Sequence, residues 1–182
     1  SLFSSCIKER RDIRGMEKFE HLDTDRGYIF YKPDNLAANA PLVFVLHGFG
    51  GNAEWIKDYS GMNEIADQNG FAVCYPQGRR VGGNGNTHWN SGLLLSTIDD
   101  VGFLSSLAQF LQSEHNLNPN KTFSCGMSNG GFMSYTLACE APNVFKAIAS
   151  ITGTMSSKSW NTLNTSSAAI PPTPILHIHG TQ

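Results

Sequence analysis

Five residues, Gly126-Met127-Ser128-Asn129-Gly130, constrain the fold of this chain more than any others because of what flanks them. An apolar run from Lys121 to Cys125 precedes them, and Phe132 to Cys139 follows with a helical pattern. Glycines two residues before and two after a serine permit a sharp strand-to-helix turn that lifts the hydroxyl to the rim of a sheet. Ser128 is therefore a candidate nucleophile. A glycine-rich turn without chemistry gives the same pattern, so the strand before it and the helix after it carry the reading.

A second segment points to the same chemistry. Leu42-Val43-Phe44-Val45-Leu46 is continuously apolar, as in a strand buried on both faces, and it empties into His47-Gly48-Phe49-Gly50-Gly51-Asn52. Such a loop can turn backbone N–H groups toward a point above the sheet, where the carbonyl oxygen of an ester becomes negative during attack. One donor is then the N–H of Phe49, with Gly50 as the alternative, and the other is that of Asn129, the residue after the nucleophile. A phosphate loop is disfavoured, since no Gly-Lys-Ser/Thr follows.

With these two motifs stand LHGFGGNAEW, YSGMNEIAD, YPQG, HWNSG, DDVGF, GMSNGGFMSYTLACE and LHIHGT. Together they resemble the α/β-hydrolase esterase family that groups polyhydroxybutyrate depolymerases with feruloyl and acetylxylan esterases. The resemblance runs from about Phe19 to the end of the chain. It implies a serine esterase but does not choose among the family's substrates.

The coarse pattern agrees. Strands are expected at Met16 to His21, Tyr28 to Lys32, Leu42 to His47, Phe71 to Tyr75, Lys121 to Cys125, Ala147 to Ile151 and Pro174 to His179. The clearest helix carries the stripe Val101, Leu104, Leu107, Phe110 and Leu111, capped by Asp99 or Asp100. Alternating strands and helices predict an α/β fold: a mainly parallel sheet with helices on both faces. The first two strands should form an antiparallel edge joined by a turn at Asp23 to Gly27. The polar stretches Gly78 to Gly92 and Thr152 to Ser167 read as loops over the sheet. The organisation expected is a leader over residues 1–15 and a hydrolase domain over 16–182. A formal net charge of −2 with scattered Lys and Arg argues against a nucleic-acid partner. No apolar run approaches the ~18 residues of a membrane span.

The acid and base have no evident place. A triad on this fold runs in the order serine, acid, histidine, yet no Asp or Glu follows Glu140, and the only later histidines are His177 and His179. Both fall in an apolar strand pattern and read as buried or rim residues satisfied by neighbouring backbone. The resemblance implies an Asp just beyond the His-Gly-Thr segment and a histidine in a later loop. The expectation is a chain that stops short of its acid, base, final strand and last helix, and is nearly inactive alone.

At the other end, Leu2-Phe3-Ser4-Ser5-Cys6 resembles the tail of a bacterial lipoprotein signal, which would make Cys6 a lipid anchor and the only link to a membrane; a disordered leader is the alternative. Cys74, Cys125 and Cys139 read as small buried apolar residues. Strand and helix rise would set Cys125 and Cys139 farther apart than the ~7 Å a disulfide spans. No Cys or His spacing matches a zinc site, and no metal or cofactor is expected. Trp89, in the loop Gly82 to Gly92, either stacks on a sugar or phenolic group of the substrate or packs on its own loop. Phe49 and Met127 should flank the reacting carbonyl, whereas Trp55 and Trp160 read as structural.

The resulting expectation is a secreted, periplasmic or surface-anchored bacterial serine esterase forming an acyl-enzyme on feruloyl or acetyl esters of polysaccharide. Hydroxyalkanoate polyester is the alternative substrate, and a non-catalytic polysaccharide-binding scaffold is the alternative from another class.

Overall fold

A computed structural model of the chain describes residues 12–80, 85–166 and 170–180. Nine strands are described: β1 (Glu17–His21), β2 (Thr24–Tyr31), β3 (Leu42–Leu46), β4 (Ala72–Pro76), β5 (Arg79–Arg80), β6 (Thr87–His88), β7 (Thr122–Met127), β8 (Ala147–Ile151) and β9 (Ile175–Ile178). The helices are α1 (Ala53–Ser60), α2 (Met62–Asn69), α3 (Asp100–Glu114), α4 (Asn129–Glu140) and α5 (Ser157–Thr165). Seven strands form one sheet in the order β1-β2-β4-β3-β7-β8-β9, and β5 and β6 make a separate ribbon. β1, β2 and β4 are antiparallel neighbours, and from β4 to β9 every pairing is parallel.

The centre of this sheet explains the unbroken apolar run of β3. Its side chains alternate between two cores: Leu42, Phe44 and Leu46 meet Leu104, Leu107, Met133 and Leu137 of α3 and α4, while Val45 meets Ala53, Ile56 and Ala66 of α1 and α2. Helices therefore cover both faces. Fully burying a Leu or Phe of this kind stabilises by about 1.5–3 kcal/mol each. β9 lies outermost, with the side chains of Ile175, Leu176 and Ile178 exposed.

Several boundaries differ from the sequence reading. The first hairpin is tighter than expected: His21 pairs with Thr24, so Leu22 and Asp23 alone make the turn, both at positive φ. This twist matches that of the flanking strands, and β2 gains four residues. In α3 the Asp99 carboxylate accepts the Gly102 N–H at 2.9 Å and caps the helix. Phe103, outside the predicted stripe, is fully buried, whereas Phe110 is 40% exposed and packs on Phe19 at the margin. The presumed loop from Gly78 contains the β5–β6 ribbon, and that from Thr152 contains α5, whose N-terminus is capped by Ser156.

Asp12 and Ile13 also belong to the folded body rather than to a leader: Asp12 pairs with Arg80, and Ile13 is buried against Gly27. Cys6 lies outside the described residues. Among those described, Cys74, Cys125 and Cys139 are free thiols, and no helix is long and apolar enough to cross a membrane.

Candidate active site

Ser128 stands between β7 and α4 with φ 53° and ψ −117°, a conformation unfavourable for a non-glycine residue, and its side chain is exposed. The backbone is held on both sides. Ser128 N–H donates to Ile151 O at 2.8 Å, and its carbonyl accepts from Phe132 N–H at 3.0 Å. The glycines of the motif act through space: a Cβ on Gly126 would run into the Gly130 backbone, and one on Gly130 into the carbonyl of Leu46. The strained φ thus falls on the serine, while the glycines let α4 start hard against the sheet.

Beside the serine runs the loop after β3. A Cβ placed on Gly48 would be 3.6 Å from Ser128 Cβ and 3.5 Å from Met127 O, so the two segments lie in contact. Hydrogen bonding distinguishes the two N–H groups that the sequence offered as donors. Gly50 N–H is occupied by Thr87 O at 2.8 Å and Gly51 N–H by Gly48 O at 3.0 Å, whereas Phe49 N–H has no backbone partner among the described residues. Asn129, at the first position of α4, contributes an N–H with no intrahelical acceptor.

His47 organises this loop. Its ring is fully buried; Nε2 accepts from Gly78 N–H at 2.9 Å, which leaves Nδ1 to carry the proton and donate to Gly48 O at 2.7 Å. Burial drives its pKa down to about 4, against the raising effect of the Gly48 carbonyl, so the imidazole is neutral near pH 7.

Trp89 is where the substrate-stacking expectation fails. The indole is fully buried in the main core; Nε1–H donates to His47 O at 3.0 Å, and the ring lies 5.0 Å from that of His47. Its backbone N–H donates to Asn129 Oδ1 at 2.7 Å, and Asn129 Nδ2 donates to Trp89 O and Ser91 Oγ. A single asparagine side chain therefore ties the Trp89 loop to the start of α4. Sequence reasoning singled out Asn129 for its backbone and missed the side chain, because nothing local shows which carbonyl a buried amide will meet.

A second buried link holds the same loop. Arg26 donates to Asp100 Oδ1 at 2.7 Å, Asn90 N–H donates to Asp100 Oδ2 at 2.7 Å, and the guanidinium lies 3.8 Å from the Phe103 ring centroid. Burial lowers the Arg26 pKa against the opposing pull of Asp100.

The Ser128 side chain makes no capping hydrogen bond to α4, and the two histidines that follow it in the chain lie on or just after β9. His177 is exposed rather than buried; its Nδ1 meets the Tyr135 hydroxyl at 3.0 Å, and its ring stacks on His179. A side-chain hydroxyl, not neighbouring backbone, is thus its partner. Burial pushes the Cys125 thiol up to about 12, leaving no thiolate near pH 7. The exposed Phe49 and Trp55 line, with Met127, a depression of about 330 Å³. Trp55 and, on α5, Trp160 are both exposed, contrary to the structural role expected of them.

A mostly parallel sheet, a strained serine between strand and helix and a glycine loop alongside define the α/β-hydrolase fold. Among solved structures, an acetyl xylan esterase from Aspergillus awamori superposes with a TM-score of 0.62 at 22% identity, covering 78% of this chain and 53% of that one. A fluorophosphonate-binding serine hydrolase of Staphylococcus aureus gives 0.66 at 12% identity, covering 91% and 78%. These likenesses speak to fold. The model of the family "Esterase PHB depolymerase" matches residues 26–168, and the chain belongs to that family.

Curated relatives include a bifunctional acetylxylan esterase/xylanase of Neocallimastix patriciarum, 30% identical over 151 residues, 83% of this chain and 20% of the relative. Feruloyl esterase B of Thermothelomyces thermophilus is 28% identical over 152 residues, 84% of this chain and 52% of the relative. Poly(3-hydroxyalkanoate) depolymerase C of Paucimonas lemoignei is 30% identical over 124 residues, 66% and 30%. The chain thus spans between a fifth and about half of the length of these relatives.

Proposed function

We propose that this chain carries the nucleophile and oxyanion hole of a serine carboxylic ester hydrolase. Ser128 Oγ attacks the ester carbonyl carbon, and the oxygen that becomes negative is held by the N–H groups of Phe49 and Asn129. The alcohol leaves with the proton lost by Ser128, and water then releases the acid from the acyl-enzyme. A general base from outside the described residues relays the proton. The observation that carries this reading is the exposed Ser128 at φ 53°, with the loop after β3 so near that a Cβ on Gly48 would lie 3.6 Å from Ser128 Cβ, since such a strained turn persists only where its surroundings hold it.

Family membership supports ester hydrolysis in general. For the substrate we favour feruloyl or acetyl esters of polysaccharide, with hydroxyalkanoate polyester second; the named relatives support both. Trp89, being buried, supports neither. A polymeric substrate agrees with a protein acting outside the cytoplasm, and that location is part of the proposal.

The test is covalent labelling of the full-length protein with an organophosphonate. Label should appear on Ser128, and Ser128→Ala should abolish both labelling and hydrolysis. Ser124 and Ser134 serve as internal controls: both are buried and hydrogen-bonded to each other at 2.9 Å, so label on either one would overturn the assignment.

A further inference from the structure

α1 has eight residues, and its inward positions are Ala53 and Ile56. Its largest side chains face the other way: Trp55 is 43% and Tyr59 66% exposed, and Phe49 in the preceding loop is 51% exposed. None of the three is a member of a described hydrophobic core cluster. Burial therefore gives no reason for three large aromatics in this place.

Their arrangement gives one. Trp55 and Tyr59, one helical turn apart, stack with centroids 4.7 Å apart and planes inclined by 13°. Tyr59 thus braces one side of the indole. On another side Trp55 joins Phe49, Gly48 and Met127 around the depression of about 330 Å³, within the range of small-ligand sites. Two of its lining residues tie this hollow to the nucleophile: Met127 precedes Ser128 in the chain, and a Cβ built on Gly48 would lie 3.6 Å from Ser128 Cβ. No ionisable side chain lines it.

Resting on the esterase reading above, we infer that Phe49 and Trp55, with Tyr59 holding the indole in place, form the subsite that grips an uncharged ring of the ester substrate, either a phenolic acyl ring or a sugar ring. Both rings offer a flat face with apolar C–H or π character, and both are matched by an aromatic wall without charge. Bracing by Tyr59 reduces the side-chain freedom lost on binding. Trp55 acts here on specificity and takes no part in bond making.

The experiment uses the full-length protein and three esters: methyl ferulate, an acetylated xylo-oligosaccharide, and ethyl acetate, which has no ring. Trp55→Ala should lower kcat/KM about tenfold on the ring-bearing ester that the subsite serves, chiefly through KM, and by less than about threefold on ethyl acetate. Comparing the two ring esters identifies the source of the ring. Trp55→Phe should recover most of the loss at an unchanged Tm. Equal losses on all three esters, or no recovery by Trp55→Phe, would overturn the inference.

Binding separates this inference from the esterase reading. In Ser128→Ala, ferulate or xylotriose should quench tryptophan fluorescence, and adding Trp55→Phe should remove the quench. A quench in a protein that hydrolyses nothing would leave the subsite standing and sink the esterase reading. Hydrolysis of ring esters with no quench from either ligand would sink the subsite alone.

Discussion

Acidification should loosen the site through His47, and the size of the effect follows from its surroundings. The neutral ring satisfies two buried groups, Gly78 N–H and Gly48 O, and a second proton on Nε2 would break the bond to Gly78 while placing a charge where no water reaches. Folding therefore holds the His47 pKa at about 4, below the 6.5 of an unperturbed histidine. Above pH 6.5 both folded and unfolded forms are neutral at this position, and its contribution to stability is fully present. As the pH falls from 6.5 toward 4, only the unfolded chain takes up the proton, and stability is lost. The full loss, reached below pH 4, is roughly 3 kcal/mol. For a protein of this size that lowers Tm by on the order of 5 to 10 °C. Unfolding should be followed between pH 7.5 and 4 in the wild type and in His47→Gln, whose amide oxygen can accept from Gly78 N–H but does not titrate. The variant should be less stable at pH 7.5 and show a pH slope shallower by about one proton between 6 and 4.5. Identical slopes would refute the assignment of acid sensitivity to His47.

Two further outcomes test the frame around the oxyanion loop. Trp89→Phe removes the N–H that satisfies the buried His47 carbonyl, so it should cost about 1–3 kcal/mol in denaturant unfolding and reduce hydrolysis of small and large esters alike. A loss confined to large esters would mean that Trp89 meets substrate after all. Asp100→Asn keeps the shape but leaves the Arg26 guanidinium buried without its counter-charge, at an expected cost of about 3–5 kcal/mol. Unchanged stability at neutral pH would show that the pair contributes nothing to holding the Asn90 loop.

Elements whose signals are local were legible in the amino-acid order alone. An apolar run ending in glycines marks a strand that opens into a loop, and a 3.6-residue stripe with an aspartate ahead of it marks α3 and its cap, because these patterns follow from backbone geometry and nearest neighbours. It also placed Ser128 at a strand-to-helix turn, since the residues of that turn are contiguous. What stayed hidden was long-range. Whether Trp89 faces substrate or core depends on His47, 42 residues away, and on Asn129, 40 residues away. That Gly50 N–H is occupied while Phe49 N–H has no backbone partner among the described residues rests on the Thr87 carbonyl of β6. Arg26 meets Asp100 across 74 residues of chain, and no periodicity records which buried charges will pair. Exposure was equally invisible: Trp55 and Trp89 are the same residue type in similarly polar surroundings, and only packing decided that Trp89 would be buried and Trp55 left open to solvent.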